Sequence, residues 1–455
     1  MTVQKGSTSL SGTTTDVTIS SVDISKSYVI FSARNASGAN AQYATAQLIN
    51  GTTLRFTRED NTGTLEIEWF VITDPLATVQ RGTTAIGSGN TTETQAISSV
   101  DLSKSFITIS HRTNESNINN DHRAHYIAKF NSNTEIEFER GESGAAGTVA
   151  WEVVTISDAV VQHGVNSVSG SSGNQAITAV DLDHAFVIAP NTTTVSNLES
   201  RHVRTSFNST TQIDFNRVAT SGTPKVGWFV VECERYNVQP VTSGNVTTQT
   251  VNVSITSVDT DKAFTVGTSQ NNGTGTSNAN SKYTLSITSA TNWRRQKEST
   301  NQPTHVDGFV VEVNEPTSEQ WQAQGNGEVT DDGGADITRR GFVVSTSPIT
   351  DPGNVDPDTL GLTVVDESGT FGETAFDLLL SDLDPDTTYY TRAFAENSGG
   401  FSYGAQVDFE TSAVDPDPIT KVKVAGTFIP IAPKVKIGGT FVEKTSKVKV
   451  GGTFI

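Results

Sequence analysis

Apolar and polar residues alternate one by one along much of this chain, and no long run keeps a helical spacing. In "LEIEWFVI", Leu65, Ile67 and Trp69 fall on one side of an extended backbone and Glu66, Glu68 and Phe70 on the other. The segments "TTTDVTIS", "SYVIFS", "QYATAQLI" and "TLRFTR" precede it, each rich in β-branched or aromatic residues and bounded by Gly, Asn, Asp or Ser. This is the signature of short antiparallel strands, and it predicts an all-β protein.

The pattern recurs. "ISSVDISKSYVIFS", "ISSVDLSKSFITIS", "ITAVDLDHAFVIAP" and "ITSVDTDKAFTVGT" align on Asp23, Asp101, Asp181 and Asp259, at steps of 78, 80 and 78 residues. "LEIEWFVI", "TVAWEVVTI", "KVGWFVVE" and "HVDGFVVEV" close the units. Trp69, Trp151 and Trp228 share one place, and Gly308 takes it in the fourth copy. Four small antiparallel sandwiches are expected, at 1–76, 77–160, 161–236 and 237–315. Each Asp sits before a strand and is expected to bond nearby backbone N–H groups in a turn, in preference to holding a metal, because no dense oxygen cluster follows. A third anchor, "LRFTR", "IEFER", "IDFNR" and "NWRRQ", pairs an aromatic with an arginine two residues on: Phe56/Arg58, Phe138/Arg140, Phe215/Arg217 and Trp293/Arg295. Period-2 geometry places each pair on one face, either as an arginine stem covering the core edge or as a candidate glycan or partner contact.

After "NEPTSEQWQAQ" the pattern changes. "LSDLDPDTTYYTRAFAENSGGFSYGAQVDFET" carries Leu383, Pro385, Thr387 and Tyr389 at tyrosine-corner spacing, and "RRGFVVSTSP" supplies an earlier strand. Residues 323–413 thereby resemble a fibronectin type III-like module, which implies a sandwich used as a spacer or binding unit. "AVDPDPIT" then forms a stiff linker to residues 420–455. There "KVKVAGTFI", "KVKIGGTFV" and "KVKVGGTFI" begin at Lys421, Lys434 and Lys447, 13 residues apart. Lys447 and Lys449 alternate with Val448 and Val450, and Gly451-Gly452 permits a tight turn, so three short hairpins are expected. Candidate attachment residues are Lys421, Val422 and Phe428; Lys434, Val435 and Phe441; and Lys447, Val448 and Phe454.

Two further resemblances bear on role. "AISSVDLSKSFITI" and "GTVAWEVV" resemble the H-type lectin sandwich, which implies sugar binding, although none of that family's contact residues maps onto the repeats. The "E-W-x-V-V-E"-like strand ends and the "K-V-K-V-G-G-T-F" tail are similar to bacteriophage tail, fibre and other virion proteins.

Composition narrows the field. The 455 residues carry a net charge of −19, and the tail from Lys421 holds seven lysines against Glu443, so the body before it carries about −25. Such a body repels nucleic acid and anionic membranes. Apolar content is 34%, which suits thin β-domains. The single cysteine, Cys233, excludes an intrachain disulfide framework and is expected to be a structural thiol. "MTVQKGSTSLSGTTT" has no apolar h-region, which predicts assembly without secretory export, and no stretch is long enough to span a membrane. Of seven histidines only His122 and His125 lie close, and on a strand they point to opposite faces. No nucleophile, zinc or phosphate-loop motif occurs, and no carboxylate pair suggests glycoside cleavage. No catalytic, cofactor or metal residue is nominated.

The expectation is a non-enzymatic structural protein of a phage particle: fibre, decoration or tail-associated, assembled in the host cytoplasm and located in the virion. Its partners would be other virion proteins or copies of itself through the tail, as a homo-oligomer, and host-surface glycans through the aromatic–arginine pairs. Nucleic acid binding and membrane insertion are not expected. The alternative is an extracellular bacterial cell-surface adhesin or lectin-like protein.

Overall fold

The alternation of "LEIEWFVIT" becomes a strand, Leu65–Thr73, whose Leu65, Ile67, Trp69 and Val71 enter a sandwich core. The computed structural model describes residues 1–34, 39–272, 282–298, 300, 302–314, 323–381, 383–384 and 387–411, with tail strands at 422–424, 427–429, 435–437, 440–442 and 446–449. The chain forms two compact units, 1–315 and 316–455.

In the first repeat the strands are β1 (Thr2–Leu10), β2 (Thr14–Thr18), β3 (Ser27–Arg34), β4 (Thr45–Asn50), β5 (Thr53–Thr57) and β6 (Leu65–Thr73). They form two three-stranded antiparallel arrays, β1-β6-β3 and β2-β5-β4. Leu10, Leu54, Phe56, Leu65 and Trp69 fill the space between them. The other three copies repeat this plan, with the third strand of the third copy split into Ala185–Ile188 and Asn191–Thr192, so the small-sandwich expectation holds.

The repeats are nevertheless not separate beads. One apolar core runs from Val3 in the first repeat to Val313 in the fourth. Equivalent bonds link successive copies. The first-strand amides of Val161 and Val238 donate to Ser103 O (2.6 Å) and Asp183 O (2.7 Å) of the copy before, and Val3 N–H donates to Asp261 O (2.7 Å) of the fourth. A second set uses hydroxyls at one equivalent position: Ser110 Oγ accepts from Ala46 N–H, Ser32 Oγ from Leu285 N–H, and Thr268 Oγ1 from Thr205 N–H. Pro190 holds the corresponding place in the third repeat and has no hydroxyl to offer. The last copy thus returns to the first, and the four form a closed ring. Tyr28, Phe106, Phe186 and Phe264, one from each third strand, are fully buried where the copies meet, with Tyr28–Phe106 and Phe186–Phe264 each edge-to-face at 5.7 Å. Arg235 of the third repeat reaches Asp158 (2.8 Å) and Asp74 (2.9 Å) of the second and first, all three buried.

The fourth repeat corrects the expected alignment. Lys297 N–H donates to Gln249 O as Arg58, Arg140 and Arg217 N–H do to Thr13, Thr91 and Ser171 O. Lys297 therefore replaces the arginine, Arg295 replaces Phe56, and Trp293 replaces Leu54. Matching on the aromatic had displaced this copy by two residues.

In the second unit, Ala323–Asp331 pairs with Ala375–Leu380, while Thr363–Phe371, Ile337–Ser345 and Thr388–Asn397 lie side by side, with Gly400–Tyr403 and Val407–Glu410 on the outer edge. This two-sheet order is that expected of a fibronectin type III-like sandwich. Val422–Val424 with Thr427–Ile429, and Val435–Ile437 with Thr440–Val442, make antiparallel two-strand pairs, and Ser446–Lys449 runs parallel to Ala323–Asp331.

Candidate functional site

The aromatic–arginine pairs are interior. Phe56, Phe138, Phe215 and Trp293 are fully buried, and Arg58, Arg140, Arg217 and Arg295 are at most 3% exposed. In the first three repeats the guanidinium collects loop carbonyls. Arg58 donates to Gly12 O (2.9 Å) and Gly63 O (2.7 Å), Arg140 to Asn90 O and Gly87 O (both 2.8 Å), and Arg217 to Gly170 O (2.7 Å) and Gly222 O (2.8 Å). Burial pulls Arg58 and Arg217 below the ordinary arginine range. The glycan- or partner-contact expectation for these eight residues is thereby corrected: all eight are buried, and Arg58, Arg140 and Arg217 clamp loops onto the sandwich end.

The aspartate turns form. Asp23 Oδ1 accepts from Ser25 N–H at 2.8 Å, Asp101 from Ser103 at 2.9 Å, Asp181 from Asp183 at 2.9 Å and Asp259 from Asp261 at 3.0 Å. The Ser25 and Ser103 bonds hold the Asp23 and Asp101 carboxyls below the usual range. His122 lies in a 3₁₀ helix, Ile118–Ala124, with His125 just past its end; the strand expected there is absent. His122 turns to Glu142 (3.2 Å) and His125 to the Tyr43 hydroxyl (3.1 Å), so they do not converge as ligands. Cys233 is buried, and burial raises its thiol above the usual range, as a structural role requires. Among the described residues Asp331, Asp332 and Glu373 bring carboxylate oxygens within 4.8 Å of one another, but Asp331 and Asp332 cap the turn at Gly333 and Gly334. In the second unit Tyr389 Oη accepts from Asp384 N–H at 2.8 Å, so the tyrosine corner forms; Pro385 lies outside the described residues. Of the attachment candidates, Lys421, Lys434 and Phe454 lie outside the described residues, while Val422, Phe428, Val435, Phe441, Lys447 and Val448 fall within the tail strands.

Sequence reasoning missed a half-open cavity of about 380 Å³ lined by residues of all four repeats. Equivalent third-strand residues Val29, Ile107, Val187 and Thr265 all contribute to its wall. One equivalent position, one or two residues before each fourth strand, contributes Tyr43, His125, His202 and Lys282. Rings run along one side: Tyr126–His111 at 5.2 Å, His111–Tyr43 at 4.8 Å, Tyr43–His125 at 6.1 Å and His125–His202 at 5.5 Å. Lys282 Nζ stands 3.7 Å from the Tyr43 ring centre. Glu152, also in the wall, accepts from Val29 N–H at 2.7 Å and faces Arg81 at 3.4 Å. Burial raises its carboxyl above the usual range, and Arg81 and the Val29 amide oppose that shift. One signal was legible: "WE" at 151–152 stands where the other copies read "WF", "WF" and "GF".

A scan against protein-family models and a search of curated proteins both find no match. Among solved structures, the chain is similar at 14% identity to the crystal structure of domains A168-A170 from titin, covering 54% of this chain and 100% of that one at a TM-score of 0.12. A likeness that slight carries neither fold nor function. What the chain itself presents is an all-β, multi-module protein. No helix among the described residues is long and apolar enough to cross a membrane.

Proposed function

We propose that this chain is a non-enzymatic structural protein of a bacteriophage virion, holding a rigid four-repeat ring and a fibronectin-like module and attached through its C-terminal repeats. The observation that carries the reading is the behaviour of the tail. Two of its repeats pair as strand couples, and the third places Ser446–Lys449 alongside Ala323–Asp331. Strand addition supplies main-chain bonds along a sheet edge without a preformed pocket. Three such units in series gain avidity, since each docking raises the effective concentration of the next. The sequence resemblance of the tail to virion proteins points the same way. The ring supports a display role, because its buried arginines and aspartate turns serve the fold.

The test is mass spectrometry of purified particles, with and without residues 420–455. Recovery of the full chain in particles and loss of the truncated one, with the ring still folded, is the expected result. Equal incorporation of the truncated chain sinks attachment through the tail. Recovery from host cell surfaces alone sinks the virion reading.

A further inference from the structure

The fibronectin-like module is lopsided. Its first sheet holds only two strands of its own, Ala323–Asp331 and Ala375–Leu380. The facing sheet is wider, with Thr363–Phe371, Ile337–Ser345 and Thr388–Asn397 side by side and Gly400–Tyr403 and Val407–Glu410 at its edge. Ala375–Leu380 takes one edge of Ala323–Asp331, and the tail fills the other. Ser446–Lys449 joins there as a third strand, with Cα atoms also within 8 Å of Thr388–Asn397 and Gly400–Tyr403 in the facing sheet. It closes a flank that the module's own strands leave open.

The register shows why this segment fits. Gly327 pairs with Ser446, Glu328 with Lys447, Val329 with Val448 and Asp331 with Lys449. Both lysines of the run stand opposite acidic residues, and a valine stands opposite the buried Val329. Opposite charges across a strand pair stabilise it. Asp332 and Glu373 add negative charge at the Asp331 end. The same order of lysine, valine, lysine and a β-branched residue recurs at 421–424 and 434–437. There Val422–Val424 and Val435–Ile437 pair with their own return strands, Thr427–Ile429 and Thr440–Val442, as two-stranded sheets. Such a hairpin alone is marginal in water. Each chain thus carries three runs of one chemistry and a single copy of the edge that matches them. We infer that the outer edge of Ala323–Asp331 is the docking site for the tail of a second copy of this chain, whose Lys-Val-Lys run adds as a parallel strand with its lysines opposite Glu328 and Asp331. Exchange costs little, because a neighbour's run offers the same main-chain bonds as the chain's own. Tethering favours the chain's own third run in an isolated copy, and crowding of copies favours the neighbour's. The inference names the partner of the attachment reading above and rests on it for the adhesive role of the tail.

Disulfide trapping between full-length copies tests it. One copy carries Glu328→Cys and a size tag, and the other carries Lys434→Cys, the second-run equivalent of Lys447, so a disulfide joining them lies between chains. Directly opposed strand residues have the Cα separation that a disulfide needs. Cys233 is buried and stays out of the reaction. Asp377→Cys, exposed on the neighbouring strand, measures chance collision. At high protein concentration Glu328→Cys is expected to capture Lys434→Cys about fivefold faster or more than Asp377→Cys does, the excess reflecting docked copies. An excess of a peptide of residues 443–455 should slow the capture, and the same peptide with Lys447→Glu and Lys449→Glu should not. If Glu328→Cys lowers the melting temperature, Thr330→Cys replaces it. Equal rates at the edge and at Asp377→Cys overturn the inference. So do crosslinks confined to single chains that carry both Glu328→Cys and Lys447→Cys, which would make the tail a strap on its own module. Crosslinking between copies with normal incorporation of the 420–455 deletion fails the attachment reading alone; lost incorporation without such crosslinks fails this inference alone.

Discussion

A glycine lies beneath each closing tryptophan. A Cβ on Gly6, Gly82 or Gly164 would come within 2.5, 2.6 or 2.7 Å of the indole of Trp69, Trp151 or Trp228. In the fourth repeat the indole is gone, leaving Gly308, and its partner has grown to Val241; Trp293 refills the core from the facing sheet. The sequence showed Gly308 as an exception, but the exchange needed the register of strands 63 to 67 residues apart. Trp151→Ala should cost about 3–5 kcal/mol, and Gly82→Val alone should also destabilise through overpacking. Trp151→Gly combined with Gly82→Val should recover about 1 kcal/mol or more over the sum of the single changes, by denaturant titration; strict additivity would show that the two sites do not share space. Lys297 gives a pH test. Burial first, then Arg295, lower its ammonium to about 8 from 10.5. Between those values the unfolded chain holds a proton that the folded chain has lost, so stability from this group rises with pH through the window. Below it both states are charged and the cost is constant. The melting temperature of the natural protein relative to Lys297→Met should therefore climb between pH 8 and 10. A flat difference would mean that Lys297 titrates at its ordinary value.

At the scale of elements, strand positions were legible because one face of each strand enters a sandwich and the other alternates with it. The aspartate turns and the tyrosine corner were legible for a related reason: their bonds span only a few residues, so sequence spacing encodes them. The 3₁₀ helix at Ile118–Ala124 was not, since it stands in a connection whose form depends on Glu142 and Glu115 gripping Arg123 from other segments. The fourth repeat departs from the aromatic spacing because the feature that persists is the backbone bond to the preceding loop, not the aromatic side chain. Tyr389 tests the reading of the second unit. Its hydroxyl meets Asp384 N–H, and its ring stacks on Phe409 at 5.7 Å. Tyr390 faces the other side, among Val343, Phe394 and Tyr403. Tyr389→Phe should cost about 1–3 kcal/mol by orphaning the amide, and Tyr390→Phe much less. Comparable losses at both sites would contradict the strand phase.

For the whole molecule, ring closure was written in the sequence but in a form easily read as strand strength alone. "WFVI", "WEVV", "WFVV" and "GFVV" are runs apolar on both faces, except for Glu152, and a strand buried on both sides needs a second layer beyond its own sandwich. The neighbouring repeats are that layer. A single sandwich of this size would leave Phe70 or Phe229 and the central aromatics facing water, so its stability is borrowed from its neighbours. Arg235 makes the dependence sharper, since its guanidinium is buried against carboxylates of two other repeats. Burial opposes its charge, and the Asp158 bonds with the Asp74 field outweigh that, raising its value further above the ordinary range. Removing one member of such a group strands the others in a poor solvent for charge. Residues 1–315 should therefore melt in calorimetry as one cooperative transition, with calorimetric and van't Hoff enthalpies near parity. A fragment of residues 1–236, lacking the fourth repeat, should lose most of its stability and bind a hydrophobic dye, because Phe186 and Val3 lose their cover. Arg235→Met should lower the melting temperature of all four repeats together, where independent beads would confine the change to the third. Separate transitions in residues 1–315, or a 1–236 fragment as stable as the ring, would show that the repeats fold independently.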